Sequence, residues 1–248
     1  MSLRPFLGIG AAATTVVVLV AAYGTASAGR ASAGRGSACA MPAGHSGYTY
    51  AGHQARERGH GVRATLTLTR PAEVSAGHVA SWVGVGGPGQ GAHGGDAWIQ
   101  AGVATVPGMG TMVYAEITRE GRSPRFVLLR QGVEVGRSHR VAVLEIAGRT
   151  GWWRVWVDGQ PATAPVHIRG SSGRWTPIAT AESWNGGKAA CNSFAYRFEG
   201  VSVAGGAGGT WGTFVPGHRF LDSGYRLRRI ASGRASAPPY SFLAASRS

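Results

Sequence analysis

Acidic residues are scarce in this 248-residue chain, where 11 Asp and Glu stand against 25 Lys and Arg. The formal net charge is therefore +14. A compositional preference for Arg together with Gly and Ala is the simplest source of this charge, because the chain also holds 41 glycines. A basic surface that attracts acidic polymers is the functional alternative. No stretch interleaves basic with aromatic residues in the manner of nucleic-acid binders, so nucleic acid is not an expected partner.

Cysteine is rarer still, and the chain holds two, Cys39 and Cys191. Two cysteines cannot form a zinc site alone, and the eight histidines show no paired ligand spacing, so neither a metal nor another cofactor is predicted. In an oxidising compartment Cys39 and Cys191 are natural disulfide partners. A bridge across so long a loop would stabilise the fold by at most about 5 kcal/mol.

Long hydrophobic runs are limited to the segment 7–22, which follows Arg4 and precedes the small residues at 26–28. This order predicts a secretory signal peptide over residues 1–28, cleaved after Ala28. The run is short for a helix that spans a membrane. Cys39 lies too far beyond the run to be the acylated residue of a lipoprotein. We therefore expect a secreted protein with no stable membrane insertion after cleavage.

Helical periodicity is absent after the signal, and apolar residues instead alternate with polar ones. The alternation is clearest in "VRATLTLT", "RVAVLEIA", "WWRVWVDG" and "SFAYRFEGVSVA", with Gly- and Pro-rich breakers between such runs. Hydrophobic residues make up 44% of the chain, enough for a substantial core. The pattern predicts an all-β, antiparallel two-sheet β-sandwich. We expect a flexible leader over 29–45, the sandwich over 46–204, and a Gly/Arg-rich C-terminal tail over 205–248.

Three other alternating segments place polar or aromatic residues on one face of a strand. In "AWIQAGV", Trp98 and Gln100 point away from the apolar row, and in "TAESW" Glu182 and Trp184 do the same. In "SWVGVGG", Trp82 lies opposite the valines. Such a row suits an open substrate groove lined by aromatic rings. An ordinary solvated sheet face would show the same row. On alternation alone, the solvated face is favoured over the groove.

The segments "SGYTYAG", "ASWVGVGG", "AWIQAGV", "VYAEI" and "ATAESW", in this order, resemble the glutamic peptidases of the eqolisin family. The resemblance covers roughly 46–204 and implies a concanavalin A-like, jelly-roll type sandwich. It matches Gln100 to the family's catalytic glutamine and Glu182 to its catalytic glutamate. Glu116 falls in a Tyr-Glu segment along the same groove. With Glu116, the tryptophans Trp82, Trp98 and Trp184 become candidate substrate-binding residues.

The sequence departs from the family pattern directly after the glutamate. The family commonly has Trp there and further acids shortly beyond, whereas this chain continues with Ser183 and "WNGGKAAC". The departure alters the wall of the expected site beside Glu182.

The chemistry implied by the resemblance is peptide hydrolysis in acid by an exported endopeptidase. Glu182 would activate a water as general base and then return the proton to the leaving amine. Gln100 would hold that water through its amide oxygen and donate an N–H group to the oxyanion. No Gly-x-Ser-x-Gly elbow occurs, which argues against a serine enzyme.

Two other functions stay open at this point. A non-catalytic concanavalin A-like module would bind a carbohydrate or peptide by stacking on Trp82, Trp98 and Trp184. A glycoside hydrolase would need two carboxylates, for which Glu116 and Glu182 are the plausible pair. The expected partner is accordingly a polypeptide substrate or an extracellular polysaccharide.

Overall fold

The computed structural model describes residues 47–184, 192–230 and 240–247. All regular secondary structure in these ranges is β-strand. The strands are β1 (Tyr48–Ala55), β2 (Gly61–Leu68), β3 (Glu73–Val74), β4 (His78–Gly87), β5 (Ala97–Val106), β6 (Gly110–Thr118), β7 (Arg125–Gln131), β8 (Ser138–Glu145), β9 (Trp152–Val157), β10 (Gln160–Pro161), β11 (Val166–His167), β12 (Ile178–Trp184), β13 (Asn192–Ser193), β14 (Ala195–Ala204), β15 (Trp211–Thr213), β16 (Pro216–Leu221), β17 (Tyr225–Arg229) and β18 (Tyr240–Ser246).

The strands form two large antiparallel sheets packed face to face. One has seven strands in the order β16-β1-β12-β4-β5-β6-β7. The other has nine, with the path β10-β9-β8-β2-β14-β18-β17 and with β11 and β15 attached to β9 and β14. Strands β3 and β13 make a separate small pair. The predicted antiparallel two-sheet sandwich of concanavalin A-like type is confirmed.

The core lies between the two sheets and is built by the period-two alternation of the strands. From the seven-stranded sheet, Val83 and Ile99 point inward and are fully buried. From the nine-stranded sheet, Trp153, Phe198 and Phe242 meet them, also fully buried. The rings of Phe198 and Phe242 stack with centroids 4.4 Å apart. The opposite face of the seven-stranded sheet is thereby left to form a site.

The predicted C-terminal tail over 205–248 was wrong for much of its length. Strands β15 to β18 all lie within it, and β18 pairs with β14 on one side and β17 on the other. Tyr240, Phe242 and Ala244 of β18 are buried in the core. The physical reason is that β18 pairs with strands distant in sequence, and its apolar row then packs into the core, which local composition does not reveal.

Several sequence predictions lie outside the described residues. These are the signal peptide over 1–28, the leader over 29–45, and the disulfide between Cys39 and Cys191. Within the described ranges, no helix has the length and apolar character needed to cross a membrane.

Candidate active site

A cleft of about 1130 Å³ lies on the outer face of the seven-stranded sheet. All six residues predicted from the sequence for catalysis or substrate binding line it: Trp82, Trp98, Gln100, Glu116, Glu182 and Trp184. They come from four adjacent strands, β12, β4, β5 and β6. The structure thus brings these side chains together over one sheet, as expected of a groove and not of a flat solvated face.

The strand register places the two candidate catalytic residues on different rows of this face. Glu182 pairs with Ala80, which pairs with Ala104, whereas Gln100 lies four residues before Ala104 on β5. Two strands and four residues correspond to about 17 Å between Cα atoms on a flat sheet. No hydrogen bond joins Gln100 to Glu182 among the described side chains. The residues face each other across the cleft and leave space between them.

The carboxylate nearest to Gln100 along the sheet is Glu116, its direct partner across β5 and β6. Side chains paired in this way have Cβ atoms about 5 Å apart. On the other side of Gln100 stands Gly84, where a Cβ atom would lie 2.7 Å from the Cβ of Gln100. Glycine at this position leaves room for the glutamine. The Gln100 Nε2 donates a long hydrogen bond of 3.5 Å to the hydroxyl of Tyr114.

Glu116 is held by a tryptophan that the sequence assigned to substrate binding. The indole N–H of Trp98 donates to Glu116 Oε1 at 2.8 Å. Burial raises the pKa of Glu116, and the charge of Glu182 raises it further. The bond from Trp98 and the proximity of His78 act in the opposite direction without cancelling the rise. The two carboxyl groups therefore interact electrostatically within one cleft.

Glu182 is almost completely buried, with 5% of its surface exposed. The imidazole of His78 lies beside it, with Nε2 3.5 Å from Glu182 Oε1. The His78 ring stacks on Trp184, with centroids 5.7 Å apart and planes inclined by 23°. Sequence reasoning missed His78, which stands at the start of β4 outside any motif. Its contribution follows from the pairing of β4 with β12, which sets His78 opposite Trp184.

The wall of the cleft next to Glu182 is aromatic. Tyr48 and Tyr50 stack with centroids 6.0 Å apart, and Tyr48 lies 6.2 Å from the Trp184 ring. Phe220 of β16, from the region predicted as tail, extends this wall beyond Tyr50 at 6.3 Å. Burial raises the pKa of both tyrosines, and Glu182 adds to the effect. Both phenols are consequently neutral across the acid and neutral range.

The floor of the cleft is apolar. A buried cluster of Ala80, Trp82, Ala104, Met112 and Tyr114 forms it. The Nε1 of Trp82 is buried and has no hydrogen-bond partner among the described residues. This floor offers a surface for apolar side chains together with one spare N–H donor.

Metal ligands do not cluster in the part of the chain that the structure describes: no group of three or more His, Cys, Asp or Glu could hold an ion there. The titratable groups of the cleft are carboxyl, imidazole and phenol groups. Their arrangement can bind an extended polar ligand, move a proton at a carboxylate, and donate N–H groups from Gln100 and Trp82.

No family model and no curated protein matches this sequence. Solved structures do match in fold. Scytalido-glutamic peptidase with a peptide-based transition-state analogue is similar over 80% of this chain and 98% of that chain, with a TM-score of 0.50 and 15% identity. SCP-B, a member of the eqolisin family, in a complex with the tripeptide Ala-Ile-His, covers 80% and 97% with a TM-score of 0.44 and 14% identity. A Bacillus licheniformis β-glucanase covers 78% and 65%, with a TM-score of 0.36 and 14% identity. The chain has the fold of the glutamic peptidases.

Proposed function

We propose that this protein is an exported acid endopeptidase in which Glu182 and Gln100 act on a peptide bond held between them. The observation that carries the proposal is the single cleft in which an almost fully buried carboxyl group and a primary amide face each other across an aromatic-lined space. The fold shared with scytalido-glutamic peptidase supports the same reading.

The separation of the two residues suits a substrate bound between them. Glu182 accepts a proton from a water as the water oxygen attacks the carbonyl carbon of the peptide. Gln100, on the far side, donates its Nε2–H to the oxygen of that carbonyl as negative charge develops. The C–N bond then breaks, and Glu182 returns the proton to the leaving amine. Protons and charges balance with no further participant.

Glu116 supports this step in its protonated form. It lies directly opposite Gln100, so an ionised carboxylate there would repel the developing oxyanion. Its raised pKa keeps Glu116 neutral further up the pH scale than an ordinary glutamate. We therefore expect activity to fall as the pH rises through the pKa of Glu116.

The cleft favours peptides of particular character. The acidic and basic side chains among its described lining residues are Glu116, Glu182 and His78, in contrast to the strongly basic chain as a whole. The apolar floor around Met112 and Tyr114 suits a bulky apolar side chain next to the scissile bond. Extended peptides that lack acidic side chains are the expected substrates.

Hydrolysis of a denatured protein between about pH 3 and pH 5 tests the proposal. We expect Glu182→Gln to lower kcat by about 100- to 10,000-fold, since it removes the proton acceptor. Glu199→Gln, which neutralises a partly exposed carboxylate on β14, is the matched control and should retain full activity. Equal activity of Glu182→Gln and the wild type, or no hydrolysis at any pH, would overturn the proposal.

The aromatic wall formed by Tyr48, Tyr50 and Trp184 favours a second function, a module that binds a carbohydrate or peptide without cleaving it. Its signature would be saturable binding of a polysaccharide that survives Glu182→Gln and is lost in Trp98→Ala. Binding that disappears with Glu182→Gln would argue against a purely aromatic recognition site.

A further inference from the structure

A second cavity, of about 760 Å³, lies apart from the cleft and shares no lining residue with it. His93 contributes from the loop between β4 and β5, and Arg119 from the turn after β6. Trp152 at the start of β9, His167 in β11 and Arg169 just beyond β11 complete it. These five residues define what we call the basic cavity.

Arginine side chains outnumber carboxylates among the described residues that line the basic cavity. Neither Arg119 nor Arg169 forms a salt bridge there. One carboxylate lines the cavity, that of Glu120, and it accepts hydrogen bonds from the backbone N–H groups of His93 at 3.0 Å and Gly95 at 2.8 Å. Glu120 therefore holds the loop that carries His93 and leaves both guanidinium groups free to bind a ligand.

Aromatic and cationic groups are layered at one side of the basic cavity. The guanidinium carbon of Arg149 lies 4.0 Å from the ring centroid of Trp152, and the His167 ring lies 5.2 Å from it. Stacking of this kind fixes the orientation of a guanidinium group while its N–H donors stay available. Arg149 stands outside the lining and covers one side of Trp152, whereas Arg119 and Arg169 supply the N–H donors of the cavity. The volume suffices for far more than a single ion.

We propose that the basic cavity binds an acidic polysaccharide through the carboxylates of its sugar-acid units. Guanidinium groups match carboxylates in a planar, bidentate geometry. Arg119, in the turn after β6, and Arg169, just beyond β11, approach one cavity from different segments of the chain. The remaining wall combines small residues such as Gly91 and Gly121 with the apolar surface of Trp152, Pro165 and Ile168. Such a site would anchor the protein on an anionic polymer and leave the cleft open.

Titration of the full chain with oligogalacturonate, followed by calorimetry at low ionic strength, tests the proposal. We expect saturable binding that weakens about tenfold or more in the double variant Arg119→Gln/Arg169→Gln. The matched control is Arg226→Gln/Arg228→Gln on the edge strand β17, which removes the same charge at two exposed sites and should bind like the wild type. Thermal unfolding of each variant verifies that the fold is intact, and Arg169→Gln alone should show an intermediate loss.

Three outcomes would overturn the assignment. Equal weakening in both double variants would show that net charge alone attracts the polymer. Polyglutamate that binds as tightly and displaces oligogalacturonate would show that an acidic peptide, and not a sugar acid, is the ligand. No binding of oligogalacturonate would remove the site altogether. Because binding is measured without peptide hydrolysis, none of these results depends on the activity proposed for the cleft.

Discussion

Tryptophans on the outward faces of the two sheets have opposite electrostatic partners. In the cleft of the seven-stranded sheet, Trp98 donates to the carboxylate of Glu116, and Trp184 stacks on the imidazole that contacts Glu182. These rings therefore lie among the few acidic residues of a basic chain, and each is partly buried.

On the nine-stranded sheet the corresponding tryptophans are covered by arginines. Arg63 lies 4.4 Å above the ring of Trp211, and Arg149 lies 4.0 Å above Trp152. A guanidinium group in this position shields the apolar face from water and is itself attracted by the ring electrons. In each pair the arginine covers one face of a tryptophan ring that would otherwise contact water.

Alternation therefore identifies the outward face of a strand but not the function of that face. On both sheets the outward row alternates Trp with polar residues. On the seven-stranded sheet this row surrounds buried carboxyl groups, whereas on the nine-stranded sheet arginines cover it. What separates them is whether carboxyl and amide groups from neighbouring strands meet over the row. Chemistry is expected where burial and acidic charge coincide.

After Glu182→Gln, the strongest loss of activity is expected from removing the amide of the cleft. Gln100→Leu keeps the volume of the side chain and deletes its N–H donor, so we expect kcat for peptide hydrolysis to fall about 100- to 1,000-fold. Thr65→Val makes a comparable polar-to-apolar change on the outward row of β2 and should leave kcat unchanged. Full kcat in Gln100→Leu, or an equal loss of kcat in both variants, would show that the amide in the cleft has no specific role in hydrolysis.

A smaller effect is expected on the pH dependence of the reaction. Trp98→Phe deletes the hydrogen bond that stabilises ionised Glu116 and holds its pKa down, so the pKa of Glu116 should rise further. Glu116 then stays protonated to higher pH, and the alkaline limb of kcat should move upward in pH. Trp152→Phe, at an arginine-covered ring, should leave that limb in place. A limb that stays fixed in Trp98→Phe would show that Glu116 does not control it.

The sequence correctly predicted which side chains share a face, because that depends on a single strand. The period-two alternation of β5 and β12 correctly placed Gln100 with Trp98 and Glu182 with Trp184 on one face. It could not place Glu116 opposite Gln100, or His78 beside Glu182, because those contacts depend on which strands pair and in which register. Such pairing is set by the whole sandwich and not by local pattern.

The same limit explains the misassigned C-terminal region. Strand β18 has only seven residues and follows a segment rich in Ser, Pro and Arg, so local composition predicted a tail. Its burial results from pairing with β14 and from the contact with Phe198, which lies 44 residues before Phe242 in the chain. The contribution of Phe220 to the cleft was hidden for the same reason.

The weakest effect is expected on stability. It concerns His53, which packs between the sheets, in contrast to the titratable groups buried in the cleft. Burial lowers the pKa of His53 to about 4, with a further contribution from Arg219, because its ring packs edge-on against Tyr240 and Phe242. Since this pKa lies below the ordinary value near 6.5, protonation opposes folding. The stabilising neutral form is fully present above about pH 6.5, and its contribution is lost as the pH falls towards 4.

His53→Phe keeps the ring contacts without the charge, so its melting temperature should fall less than that of the wild type between pH 7 and about pH 4. His218→Phe, at an exposed position of β16, should melt like the wild type at both pH values. An equal fall in the melting temperatures of His53→Phe and the wild type would show that protonation of His53 carries no cost to folding.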